Sequence, residues 1–217
     1  MIEIIDAIVL ASAAFFGLFH FRKSGILFRL LTLYLLYTLI SEVVSFYSSK
    51  IFHNNSLVQK IYLFVEIIFI SGIYYLLFRY SRKRRIIIVL AAFLFLFCFF
   101  YFILDKQAIL PGYPLTLESI MLIIFSVMYF YQLLKYPYEH DLLSMGEFWL
   151  NSSVLVYSTG SFVFWVTFHY LYSHHIVLPG LPVIMNALDI LHYFLLGLAI
   201  FFHVKRKSLI MHKDAFG

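Results

Sequence analysis

Residues 82–104 read RKRR followed by IIIVLAAFLFLFCFFYFIL: four basic side chains, Arg82 to Arg85, and then the run Ile86–Leu104, in which nothing polar but Cys98 precedes Tyr101. About 20 apolar residues in helical form cross a hydrocarbon core. Nothing in this stretch alternates as a strand would, and no polar stripe marks a face for water. It therefore predicts a membrane-spanning helix surrounded mostly by lipid. Working outward, six further apolar stretches have similar length: Ile4–His20, Leu27–Tyr47, Val58–Phe78, Leu115–Leu134, Phe148–Tyr170 and Val183–Val204. The expected fold is an all-α membrane protein, a seven-transmembrane-helix bundle forming a single domain over residues 1–204, with a short basic cytoplasmic tail over 205–217. The composition agrees, with 63% hydrophobic and 12% charged residues in a chain of 217, against roughly a quarter charged in soluble domains. The short loops leave no room for a separate catalytic, DNA-binding or kinase domain.

The charges set the expected orientation. All but Lys50, Lys60 and Lys106 of the 16 Lys and Arg residues fall on one side if the seven stretches all span. By the positive-inside rule that side is cytoplasmic, which places the N-terminus outside and the C-terminus in the cytoplasm of a multi-pass protein of the cytoplasmic (inner) membrane. The net charge of +5 is thus a topology signal, and no nucleic acid is expected as a partner. Membrane lipids are. Cys98 stands alone in an apolar run and reads as a small packing residue.

Polar residues within a bilayer face protein or a water-filled cavity, and their spacing marks buried faces. In the second stretch, Tyr34, Tyr37, Thr38, Ser41, Glu42 and Ser45 form one stripe on a helical period. Asn151, Ser158, Ser161, Trp165 and His169 do the same in the sixth. The third contributes Tyr62 and Glu66, the seventh Asn186, Asp189 and His192. In the first, Ala7, Ala11, Ala13, Ala14 and Gly17 supply the small surface that lets helices approach closely, and packing within the bundle is the expectation. All five prolines are expected in loops.

Counting 1.5 Å per residue from the outer ends places Glu42, Glu66, Asp189, His169 and His192 in the outer half of the bundle, with Asp6 and Glu118 nearer the interface. Ser152 and Ser153, by the same count, fall in the cytoplasmic half, too far away to complete a hydrolytic site with that cluster. Buried carboxyls in lipid must pair, hydrogen-bond or bind something. Three roles compete: a structural hydrogen-bonded core with Tyr37, Tyr62 or Asn186; an outward-facing pocket for a small or lipidic ligand; and a divalent-metal site of carboxylates and imidazoles.

The expected ligand-binding set is Tyr37, Glu42, Tyr62, Glu66, Trp165, His169, Asn186, Asp189 and His192. The function expected is that of a receptor-like protein signalling to a separate cytoplasmic or membrane partner. The alternative is an intramembrane enzyme acting on a lipid or isoprenoid, with Glu42, Glu66, His169, Asp189 and His192 holding a divalent metal. A structural subunit of a membrane complex or a small transporter is a third possibility. No lysine in Val183–Val204 is available for a retinal Schiff base, and phosphate-loop, nucleophile-elbow and H-E-x-x-H motifs are absent from the sequence. His169, His174 and His175 give one histidine box, where membrane di-iron enzymes use several.

Overall fold

The computed structural model describes residues 2–104, 112–135, 141–176, 178 and 180–216. Among these residues all regular structure is helical, in seven α-helices: α1 (Ile2–Phe19), α2 (Ile26–Phe52), α3 (Ser56–Leu77), α4 (Ser81–Leu104), α5 (Gly112–Lys135), α6 (Gly146–Ser173) and α7 (Leu181–Phe216), with short 3₁₀ turns at Phe21–Lys23 and Leu142–Ser144. Six of them, α2 to α7, are long and apolar enough to cross a membrane, while the apolar part of α1, Ile4–Phe19, is shorter. Each helix packs on its neighbours in sequence, α1 closes the ring against α7, and α3 also meets α5 across it.

Because lipid tails are as apolar as leucine, helices in a bilayer are held by close packing and internal hydrogen bonds. Small residues provide the first. Ala13, Ala14 and Gly17 are buried; a Cβ at Gly17 would lie 2.6 Å from the Thr32 hydroxyl of α2, and one at Gly197 of α7 would lie 3.5 Å from Ala13 Cβ. The small-residue face of α1 is thus used inside the bundle. At the start of α6, Gly146 sits so close to α7 that an added Cβ would collide with the Ala199 carbonyl oxygen. By contrast α4, packed on α3 and α5, buries Ile87, Leu94 and Cys98 and exposes Ile88, Val89, Phe93, Phe99 and Phe100. That is the lipid-facing role its sequence predicts.

The end of the bundle that carries most of the basic residues is tied by side-chain bonds to backbone carbonyls. The Arg29 guanidinium donates to the carbonyls of Phe21 (3.1 Å), Ser24 (3.0 Å) and Arg22 (2.9 Å). Trp149 donates to Leu143 O at 2.8 Å and stacks on Phe202. The Gly25 amide donates to His203 Nε2 at 3.3 Å, and that ring stacks 3.9 Å from Phe28.

The sequence-based boundaries need three corrections. Pro114 and Pro182 lie in the first turns of α5 and α7, where a missing N–H costs nothing; Pro111, Pro137 and Pro179 lie outside the described residues, as does Lys106. The stretch expected as a tail continues α7 without a break as far as Phe216. Arg82 to Arg85 form the opening turn of α4, an unfavourable place for cations beside a helix dipole. Arg84 is held there by donating to Phe78 O at 2.7 Å, and Lys83 by donating to Met128 O at 3.3 Å.

The close approach of α6 to α7 has a measurable consequence. Gly146→Ala should lower stability by about 1–3 kcal/mol through overpacking, whereas Gly197→Ala, which meets only ordinary contact, should change it by less than about 0.5 kcal/mol. Unfolding in detergent micelles compares the two, and equal stabilities would refute the contact.

Candidate functional site: an acidic, tyrosine-lined interior

Glu66 stands at the middle of α3, ten residues after Ser56 and eleven before Leu77, and is buried. Tyr34 of α2 donates its phenolic proton to Glu66 Oε1 at 2.7 Å. The Tyr62 hydroxyl lies 3.4 Å from that of Tyr34, and either can act as the donor between the two. Tyr37 stacks on Tyr62 with ring centroids 5.8 Å apart and planes within 7°. On the neighbouring side, Tyr193 of α7 donates to Glu42 Oε1 of α2 at 3.1 Å. Asp189, one turn earlier on α7, is within hydrogen-bonding reach of Tyr157 of α6.

Two further carboxyls join this set. Glu118 of α5 is 6% exposed, its Oε1 has no hydrogen-bond partner, and it faces Glu66 closely enough for the two charges to interact. Asp6 of α1 interacts electrostatically with both Glu42 and Asp189, and its Oδ1 is also buried without a partner. Five acids on α1, α2, α3, α5 and α7 are thus linked by pairwise electrostatic interactions: Asp6 with Glu42 and Asp189, Glu42 and Glu66 with Asp189, and Glu66 with Glu118. The side-chain donors to these acids include Tyr34, which bonds Glu66, and Tyr193, which bonds Glu42.

The other sequence-predicted residues lie elsewhere. His169 is exposed and shares a 2.7 Å hydrogen bond with Tyr113. Trp165 makes edge contacts with Phe164 and Phe168 of its own helix. Asn186 is half-buried, one turn before Asp189. His192 is buried and stacks near Tyr157, and its Nδ1 lies 2.8 Å from Ser153 Oγ, which also contacts the His192 carbonyl oxygen at 2.8 Å.

The Ser153 contact overturns the depth count. At 1.5 Å per residue the 28 residues of α6 extend about 42 Å, well beyond a hydrocarbon core. The end of α6 consequently overhangs the start of α7, and Ser153 lies level with His192 and one turn from Tyr157. Serine and imidazole are adjacent, but the seryl oxygen is engaged with the backbone and both residues are buried. The pair ties α6 to α7. A second tie, Tyr74 with Ser126 (2.6 Å) and Asn151 (2.9 Å), joins α3, α5 and α6.

Among the described residues no three His, Cys, Asp or Glu side chains are grouped to hold an ion, and the two imidazoles proposed as ligands are occupied by Tyr113 and Ser153.

Tyr34, Tyr157, Tyr193, Asp6 and Glu118 were missing from the predicted site. Tyr34 already headed the polar stripe of α2. Asp6 is in helical phase with Ala13 and Gly17, a spacing that points it inward; Glu118 was passed over because its depth was counted from an apolar boundary. Comparison with protein-family models, with curated proteins and with solved structures finds no match for the chain.

Tyr34→Phe should lower stability by about 1–2 kcal/mol, the scale of a buried interhelical hydrogen bond, and the loss should largely vanish in a Glu66→Ala background. Unfolding the four proteins of this cycle in micelles measures the coupling. Independent effects would show that the bond does not hold α2 to α3.

Proposed function

We propose that this chain is a seven-pass protein of the cytoplasmic membrane, N-terminus outside, whose acidic interior binds a small or lipidic ligand carrying a positive charge. Binding shifts the bundle between two states and signals through the basic end to a separate protein. The observation that carries this reading is the Glu118 carboxyl: buried, lacking a partner on one oxygen, and near enough to Glu66 to interact with it electrostatically. An unpaired carboxylate in a low-dielectric interior costs several kcal/mol. An ammonium group entering the cluster relieves that penalty, and Tyr34, Tyr62, Tyr157 and Tyr193 supply ring faces for it.

The orientation rests on the positive-inside distribution of Lys and Arg. The seventh span rests on α1: although short, it packs between α2 and α7 and buries Leu10, Ala13 and Ala14, which holds it at the depth of its neighbours. Signalling draws on the continuous α7, which passes from Asp189 to the basic end and onward to Phe216. A ligand that prefers one arrangement of α7 shifts the population of that arrangement by its differential affinity.

Isothermal titration of the protein in nanodiscs with phenethylamine and choline, against phenethyl alcohol, tests the proposal. The amines should bind saturably and the alcohol should not. Glu118→Gln should weaken amine binding at least tenfold, about 1.4 kcal/mol, while leaving the melting temperature unchanged or higher, because the carboxyl oxygen it replaces has no hydrogen-bond partner to lose. Equal binding of amine and alcohol, or no binding of either, overturns the proposal in favour of a structural core.

A further inference from the structure

Between α1 and α7 lies a groove of about 430 Å³, within the range of small-molecule sites, roughly 300–1,000 Å³. Its floor is Ala13, Tyr193 and Gly197, and its walls include Val9, Phe16 and Phe201. The groove exists because two small residues face each other: a Cβ on Gly197 would still stand 3.5 Å from Ala13 Cβ. Its mouth opens to the outer surface of the bundle, where Ile8, Phe194 and Phe201 are 59%, 54% and 44% exposed. Two further grooves, between α3 and α4 and between α6 and α7, are equally apolar. Neither is lined by a side chain that holds a carboxyl.

The α1–α7 groove differs in that respect. The ring of Tyr193 forms part of its floor, while the hydroxyl of the same residue passes inward to Glu42 Oε1 at 3.1 Å. Asp6 lies one helical turn before Val9 on α1, interacts electrostatically with Glu42, and has a buried Oδ1 with no partner. The apolar groove thus shares Tyr193 with the Glu42 carboxyl, and a second carboxyl, Asp6, lies one turn beyond its lining on α1.

We infer that the ligand is a single-chain cationic amphiphile, a long-chain amine, that enters sideways from the membrane: its chain lies in the α1–α7 groove and its ammonium group reaches Asp6 and Glu42. This rests on the acid interior being a cation site. Charge complementarity selects the head, since a carboxylate or phosphate headgroup would add negative charge to five acids. The groove selects one chain, because its floor is a single furrow between two helices. Lateral entry also accounts for a site that serves a lipid-dissolved ligand, which concentrates in the bilayer before it meets the protein.

Photolabelling of the protein in nanodiscs tests the inference with two probes of one chain length, each carrying a diazirine at mid-chain: a primary alkylamine and the corresponding alcohol. The amine should label the peptides containing Val9–Phe16 and Tyr193–Phe201 roughly tenfold over the alcohol, a preference of about 1.4 kcal/mol. Both probes should label α4 alike as a lipid-facing control. Asp6→Asn should reduce the amine pattern to that of the alcohol, and Ser12→Trp, which fills the furrow, should remove the label from α7. If phenethylamine binds the wild-type protein but the two probes label alike, the groove assignment is overturned and the acid site stands. If phenethylamine also fails to bind, both fall. Stability of Asp6→Asn and Ser12→Trp is followed by melting temperature, and an unfolded Asp6→Asn is replaced by Asp6→Ser.

Discussion

A helix in hydrocarbon satisfies its own backbone and has no hydrophobic reason to prefer a neighbouring helix over lipid. The whole bundle depends on that constraint. Seven apolar helices associate only where their backbones come close enough for dense contact, or where polar side chains find each other. Close approach occurs at Gly17 with Thr32, at Gly146 with Ala199, and at Gly160 with Leu188. The polar ties fall between them: Tyr34 with Glu66 across α2 and α3, Tyr74 with Asn151 across α3 and α6, and Ser153 with His192 across α6 and α7. Large apolar side chains such as Phe28, Phe78 and Phe125 fill the core between these contacts, while α4, which has few polar residues beyond its first turn, packs on α3 and α5 and exposes Ile88, Val89, Phe93, Phe99 and Phe100.

Packing needs polar ties, but it does not need five acids. Like charges repel strongly in a low-dielectric interior, and this interior holds Asp6, Glu42, Glu66, Glu118 and Asp189, with Tyr34 donating to Glu66 and Tyr193 to Glu42. A fold built only for stability would place a lysine or arginine among them, or use neutral amides as it does at Asn151. Burial favours the neutral, protonated form of such groups, which relieves the repulsion.

Much of the architecture was legible because the signal is dense. Apolar runs of spanning length, a stripe from Tyr34 to Ser45, and a featureless Ile86–Phe100 each map to one physical requirement of lipid. Of the expected site residues, Glu42, Glu66 and Asp189 stand out in the sequence as charges in apolar runs, and in the structure Glu42 and Glu66 each interact electrostatically with Asp189. Trp165 and His169 share the periodicity of α6 but lie too far along an overhanging helix to reach the acids. Periodicity reports a face; it does not report how far one helix slides along another. The error over Ser153 has the same origin, since depth was measured from where hydrophobicity ends and α6 continues as helix beyond that point.

The sequence by itself determined that this chain is helical and built for a membrane, and which side of most helices turns inward, because burial of polar groups in lipid is costly at every position and leaves its mark in composition and period. Only the tertiary structure decided which acids meet. The axial register of α6 against α7, the closure of α1 onto α7, and the furrow between Ala13 and Gly197 all arise from contacts between residues far apart in the chain, and shape complementarity of that kind has no local signature.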